Sequence, residues 1–147
     1  MRLTAKSEYG LLAMIDLACR SAEGPVSARE ISERQAIPAK FLEQLLATLR
    51  KEGLVSAVRG AHGGFVLERR PSAITVLDVV QALEGPLSST VCEGDRVAIC
   101  GREGMCAAAG VWSRATDALK EVFETTTLAD LATAQSEYDD AEGTLTA

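Results

Sequence analysis

The sequence predicts a mainly α-helical chain with one small β-hairpin. Three observations predict it. Apolar residues recur at three- and four-residue steps in segments punctuated by Gly24-Pro25 and Gly53. One short stretch reads as two strands around the glycine-rich tip Gly60-Ala61-His62-Gly63-Gly64. A second helical block, beginning near residue 107, follows a cysteine-containing segment without periodicity.

Each element has a local cause. Residues 8–21 are good helix formers, and Leu11, Leu12, Ile15 and Cys19 mark an expected buried stripe. Cys19 is expected to behave there as a small buried hydrophobe. Glu23-Gly24-Pro25 stops the helix, because proline lacks the N–H and restricts its predecessor. Ser27 with Glu30 has the form of a capping box for a second, short helix reaching about Gln35. Pro38 suits the first position of a third helix. Its inward stripe is Leu42, Leu45, Leu46 and Leu49, and Gly53 stands at the C′ position. Val55 to Arg59 and Phe65 to Leu67 form the arms of the hairpin, closed by Pro71. Ile74-Thr75-Val76 leads into a helix near Leu77–Leu83, stopped by Gly85-Pro86. A long helix over roughly 107–124 carries Val111, Trp112, Ala115, Leu119, Val122 and Phe123 on its apolar face. Thr127 caps a last short helix around Leu128–Ala134, and the acidic residues from Glu137 onward are expected to fray.

Three helices followed by a glycine-tipped hairpin form the winged helix-turn-helix pattern, in which the second paired helix enters the DNA major groove. Here that is the helix beginning at Pro38. Its outward residues Lys40, Glu43, Gln44 and Lys51 are candidate DNA contacts. Gln44 suits adenine, Glu43 suits cytosine N4, and the lysines suit phosphate or guanine. Arg59, at the start of the hairpin tip, suits a neighbouring minor groove, and His62 a nearby phosphate. The ordinary alternative is a merely solvated polar face.

Charge distribution favours a nucleic-acid partner although the chain carries −6 in total. Residues 1–70 hold 11 Lys/Arg against 8 Asp/Glu, a net of +3, while residues 71–147 hold 4 against 13, a net of −9. The local field, not the total, attracts phosphate. The opening MRLTAKSEYG has no apolar core of a signal peptide, and no apolar run approaches membrane-spanning length, so a cytoplasmic location is expected. There is one histidine, no Ser-His-Asp set and no phosphate-binding glycine loop before a helix. An enzyme is therefore not expected.

Cys92, Cys100 and Cys106 fall within VCEGDRVAICGREGMC. Several thiolates in a glycine-rich segment can wrap one soft metal centre, and Arg96 and Arg102 can offset its negative charge. Three explanations stand together at this point: structural zinc, which wants a fourth Cys or His; a disulfide switch, which needs only two of the three; and an iron–sulfur cluster with a non-cysteine fourth ligand. A redox protein without DNA affinity is the rival from another functional class.

The stretches MRLTAKSEYGLLAMIDLA, LEQLL and LVSAVRGAHGG, the three-cysteine segment, CAAAGVW and TTLADL occur in an order and spacing that resembles the Rrf2 family of bacterial regulators, up to about residue 135. Within it, the iron–sulfur sensors of the IscR, NsrR and RirA types are the similar branch. The resemblance implies a homodimer on a palindromic operator, joined through the long helix after the cysteine segment. It implies Cys92, Cys100 and Cys106 as ligands of an iron–sulfur cluster of two-iron or four-iron type. The IscR-type histidine three residues after the last cysteine is replaced by Ala109, so the fourth ligand implied is Glu8, a carboxylate near the start of helix one given by the second subunit. Glu43, Gln44 and Arg59 match the base-reading positions, and Lys40 replaces a small polar residue. The expected division is therefore a winged helix-turn-helix DNA-binding domain over 1–84, a cluster-binding loop over 85–106, a dimerisation helix with a short closing helix over 107–135, and an acidic flexible tail over 136–147. The expected role is an iron–sulfur-dependent regulator, of repressor type. A cluster-free, disulfide-switched repressor is the alternative.

Overall fold

The computed structural model describes residues 3–87 and 106–145. Six α-helices and one hairpin are seen among these residues. They run α1 (Ala5–Cys19), α2 (Ala28–Gln35), α3 (Ala39–Lys51), β1 (Val55–Val58), β2 (Gly64–Leu67), a 3-10 turn (Pro71–Ala73), α4 (Val76–Glu84), α5 (Ala107–Thr125) and α6 (Leu128–Leu145).

Helix starts are fixed by side-chain caps. Ser27 Oγ accepts from the Glu30 amide at 3.2 Å while the Glu30 carboxylate accepts from the Ser27 amide at 2.8 Å. Thr75 with Asp78 does the same for α4, and Thr127 with Asp130 for α6. Each such pair satisfies amides that the helix itself leaves open, and contributes about 1 kcal/mol. Pro38 sits one place earlier than expected, at the N-cap of α3 rather than inside it. Gly53 follows the end of α3 with φ of 74°, a left-handed conformation that costs glycine little.

The core lies between α1, α3 and α4. Leu42, Leu46 and Leu49 are fully enclosed, with Leu45 nearly so, as the leucine periodicity of α3 requires. They meet Met14, Ile31, Ile37, Ile74 and Val79. The α1 stripe differs from the expected one. The buried face is Gly10, Ala13, Met14, Leu17 and Ala18, whereas Leu11 and Ile15 are half-buried and Leu12 and Cys19 are exposed. Small residues face inward because α1 lies close against α4. Leu83 Cδ1 stands where a Cβ on Gly10 would be.

The hairpin pairs antiparallel, Val55 opposite Leu67 and Val58 opposite Gly64. A third, single-residue rung secures it to the helices: Val26 and Phe65 exchange main-chain hydrogen bonds of 3.0 and 2.7 Å. Gly64 makes this possible, since a Cβ there would collide with the Val26 main chain. A second rung, Thr75 with Thr127, seats the start of α6 beside the start of α4.

The last helix is longer than expected. It passes Ala134 and reaches Leu145, so residues 136–145 are helical rather than an irregular tail. No proline interrupts this stretch, and Gln135 supports it by donating to Asp139 one turn on at 2.8 Å. No helix among the described residues is long and apolar enough to cross a membrane.

Candidate nucleic-acid interface and cysteine site

Lys40, Glu43, Gln44, Ala47 and Lys51 are all exposed on α3, opposite its leucines. At about 100° per residue they occupy one arc of roughly 100°. The structure thus brings four of the predicted contacts onto a single ridge. Arg59 and His62 are exposed in the tip between β1 and β2, the second projecting element of the same half. Arg29, Arg50, Arg69 and Arg70 are further exposed cations in that half. Arg29 is engaged by Glu33 at 2.8 Å, and Arg69 donates to the Ala73 carbonyl at 3.1 Å.

The angle at which α3 is presented depends on the turn before it. Ala36 takes a left-handed conformation there, and Ser32 Oγ donates to the Ile37 carbonyl at 2.7 Å. The turn is anchored from beneath by a feature that the sequence reading missed. The Asp16 carboxylate, only 3% exposed, accepts from Arg34 Nε at 2.9 Å, Arg34 Nη2 at 2.7 Å and Gln35 Nε2 at 3.1 Å. Burial opposes ionisation of Asp16, but hydrogen bonds from Arg34 and Gln35, with the charges of Arg34 and Arg20, outweigh it and hold the carboxyl below its usual range. The available signal was an acidic residue beside the apolar Ala13 and Leu17 in α1, which demands a buried cation.

Of the cysteine set, Cys92 and Cys100 lie outside the described residues, as do Arg96 and Arg102. Cys106 is half-buried at the N-cap of the 19-residue α5. The positive end of a helix dipole favours the thiolate form that metals bind. Glu8 is exposed in the first turn of α1, and its carboxylate enters no ion pair among the described residues. An exposed carboxylate and a thiol at the start of a helix are donor types that suit iron ligation. No group of three or more possible metal ligands is gathered among the described residues. Cys19 is exposed at the end of α1, where burial and the charges of Asp16 and Asp139 push its thiol pKa up.

Helix α5 has two faces. Thr116 is buried, and Phe123 packs with Val76, Val80 and Leu87 of the same chain. Val111, Trp112 and Val122 are 57%, 56% and 58% exposed. Together with Ala108, Ala115 and Ala118 they form a bare apolar stripe.

Comparison with known proteins agrees with this architecture. The family model described as Rrf2, iron-dependent transcriptional regulator, matches residues 3–134. The HTH-type transcriptional regulator CymR of Bacillus subtilis (strain 168) is 43% identical over 97% of this chain and 94% of its own length. A solved structure of CymR, described as the global cysteine regulator of B. subtilis, superposes with a TM-score of 0.75 at 41% identity, covering 91% of this chain and 98% of that one. IscR of Escherichia coli O1:K1 / APEC, also an HTH-type transcriptional regulator, is 40% identical over 95% of this chain and 85% of its own. The structure of T. potens IscR superposes with a TM-score of 0.77 at 38% identity, covering 94% of this chain and 90% of that one. The curated relatives are named as transcriptional regulators and not as enzymes, and the two solved structures share the fold of this chain. The chain is a winged-helix, DNA-binding transcription regulator and belongs to the Rrf2 family.

Proposed function

We propose that this regulator is a cytoplasmic homodimer that represses transcription from a palindromic operator, with an affinity set by an iron–sulfur cluster. One observation carries the reading: Cys106 stands at the N-cap position of the same helix, α5, whose bare apolar stripe calls for a second copy. One proposed ligand and the dimer contact thus share one element. Cys92, Cys100 and Cys106 would hold the cluster, with Glu8 of the second copy completing its shell. When bound, the group supplies an iron-dependent and oxidant-sensitive link between protomers.

The remaining work belongs to the chain itself. The α5 stripe holds two recognition helices at a fixed separation, which a palindromic site must match. Lys40, Glu43 and Gln44 present hydrogen-bonding groups to base edges, while Lys51, Arg59 and His62 meet the backbone and the adjacent groove. A cofactor changes operator affinity only by its differential affinity for two spacings of these heads.

A second reading, a cluster-free thiol-switched repressor, is favoured by the likeness to CymR. Anaerobic purification separates the two. The cluster reading expects a coloured dimer containing iron and acid-labile sulfide, both lost on Cys→Ser replacement at positions 92, 100 and 106. A colourless wild-type protein whose operator affinity follows thiol oxidation supports the second reading and overturns the first.

A further inference from the structure

The last turn of α4 and the first turn of α1 meet at one oxygen atom. Oε1 of Glu84 accepts from the Thr4 hydroxyl, and from the Thr4 amide at 3.1 Å, which it shares with Ser7 Oγ. The Ser7 hydroxyl divides its proton between the Thr4 carbonyl at 2.9 Å and the same Glu84 oxygen at 3.0 Å. Thr4 and Ser7 already cap α1 reciprocally, so Glu84 is not needed to start the helix. It adds a tether from 80 residues away. A carboxylate is well placed there, beside the positive end of α1. The approach is close: the Gly10 backbone leaves no room for a Cβ beside Leu83, the residue before Glu84.

What the tether holds is specific. On one side, Glu84 is the last residue of α4, followed by Gly85, Pro86 and a buried Leu87 that packs on Val76 and Val80, and then by the segment with Cys92 and Cys100. On the other side, Ser7 immediately precedes Glu8. One carboxylate therefore fixes the root of the cysteine segment against the helical turn that carries Glu8. The apolar face of α1, from Gly10 to Ala18, seats the rest of that helix without it.

We propose that Glu84 is a positioning residue for the cluster: through Thr4 and Ser7 it places Glu8, and through its own main chain it places the root of the cysteine segment. The inference rests on the reading of Glu8 and the cysteines as ligands. Glu8 serves the second copy's cysteines while Glu84 roots the cysteines of its own chain, so the tether also joins the two cluster sites of a dimer.

The test compares anaerobically isolated full-length dimers of wild type, Glu84→Ala, Glu84→Gln and the double variant Thr4→Val/Ser7→Ala. Cluster loss to a ferrous chelator is followed by visible absorbance and circular dichroism, and each apo-protein is melted in parallel. Glu84→Ala is expected to lose its cluster about 10- to 100-fold faster with a changed visible dichroism, because groups that orient metal ligands have effects of this size. Glu84→Gln, which keeps an acceptor, is expected to fall between it and wild type, and the apo melting curves to stay close. Equal loss rates and spectra for wild type and Glu84→Ala overturn the proposal. If Glu84→Ala fails to fold, equal behaviour of wild type, Glu84→Gln and the double variant overturns it instead. A wild-type dimer without iron or sulfide removes the ligand reading itself, and the proposal with it.

Discussion

Asp16 shows how one side chain sets the working surface of this protein. It carries a full charge almost out of water, and three donors from the last turn of α2 compensate it. Arg34 keeps access to water, so removing Asp16 costs chiefly the charge-assisted hydrogen bonds it accepts, about 1–3 kcal/mol. Asp16→Ala should therefore lower stability by about that amount near neutral pH, measured by chemical denaturation. The carboxyl is depressed in the folded state, so its contribution is present above the unfolded value near about pH 4 and is lost as pH falls through the folded value. The gap between wild type and Asp16→Ala should narrow in acid, and a gap that stays constant down to about pH 3 contradicts this account. On the DNA side, Gln44→Ala should cost about 1–3 kcal/mol on one operator and relax preference at one base pair. Lys51→Ala should instead weaken all sequences alike and reduce the salt slope by about 1. Titrations on matched and mismatched duplexes separate the two outcomes. The α3 ridge was legible in the sequence because four leucines leave only one outward arc. Asp16 and Cys19 were misplaced or missed because α1 contacts neighbours on several sides. There, the two glycine- and alanine-sized positions, Gly10 and Ala13, mark the close approach better than the larger Leu11 and Leu12 do.

At the scale of elements, α1 packs against both α4 and the recognition helix α3. Ser7 reaches Glu84, and two residues on, Tyr9 meets Phe41 of α3 edge-to-face, with ring centroids 5.7 Å apart at 79°. Such a pair resists sliding of one helix on the other. Tyr9→Leu should leave cluster content unchanged but bring the operator affinities of loaded and cluster-free protein closer together. A preserved ratio would mean that this contact transmits nothing. Helix α5 makes a separate prediction. Trp112→Asp places a charge in the bare stripe and should shift sedimentation from dimer to monomer, with loss of binding to a two-half-site duplex. Helix order and type were readable from punctuation at Gly24-Pro25, Gly53 and Gly85-Pro86. The extent of α6 was not, because the acidic run of Glu137, Asp139, Asp140 and Glu142 resembles a solvated tail, while nothing in it breaks a helix already started at Thr127. The rungs Val26–Phe65 and Thr75–Thr127 were equally hidden, since each joins segments far apart in the chain through main-chain atoms alone.

Across the whole molecule, charge and cysteine chemistry divide along the chain. The +3 half supplies the α3 ridge and the wing, and the −9 half supplies α5, α6 and the three clustered thiols. Such a division of charge would orient the protein on DNA and repel misdocked encounters. Under the proposed function the thiols and the reading heads are thermodynamically linked, so that cluster loading and operator binding change one another by the same factor. The most direct test is a titration of a palindromic operator, at fixed salt and without oxygen, with the same dimer preparation before and after removal of its iron, alongside the Cys92→Ser/Cys100→Ser/Cys106→Ser variant. Iron removal should shift the wild-type midpoint by about 5- to 150-fold, as a coupling of about 1–3 kcal/mol requires, and the triple variant should show only the shifted midpoint under both conditions. Identical midpoints for all four samples would contradict the linkage.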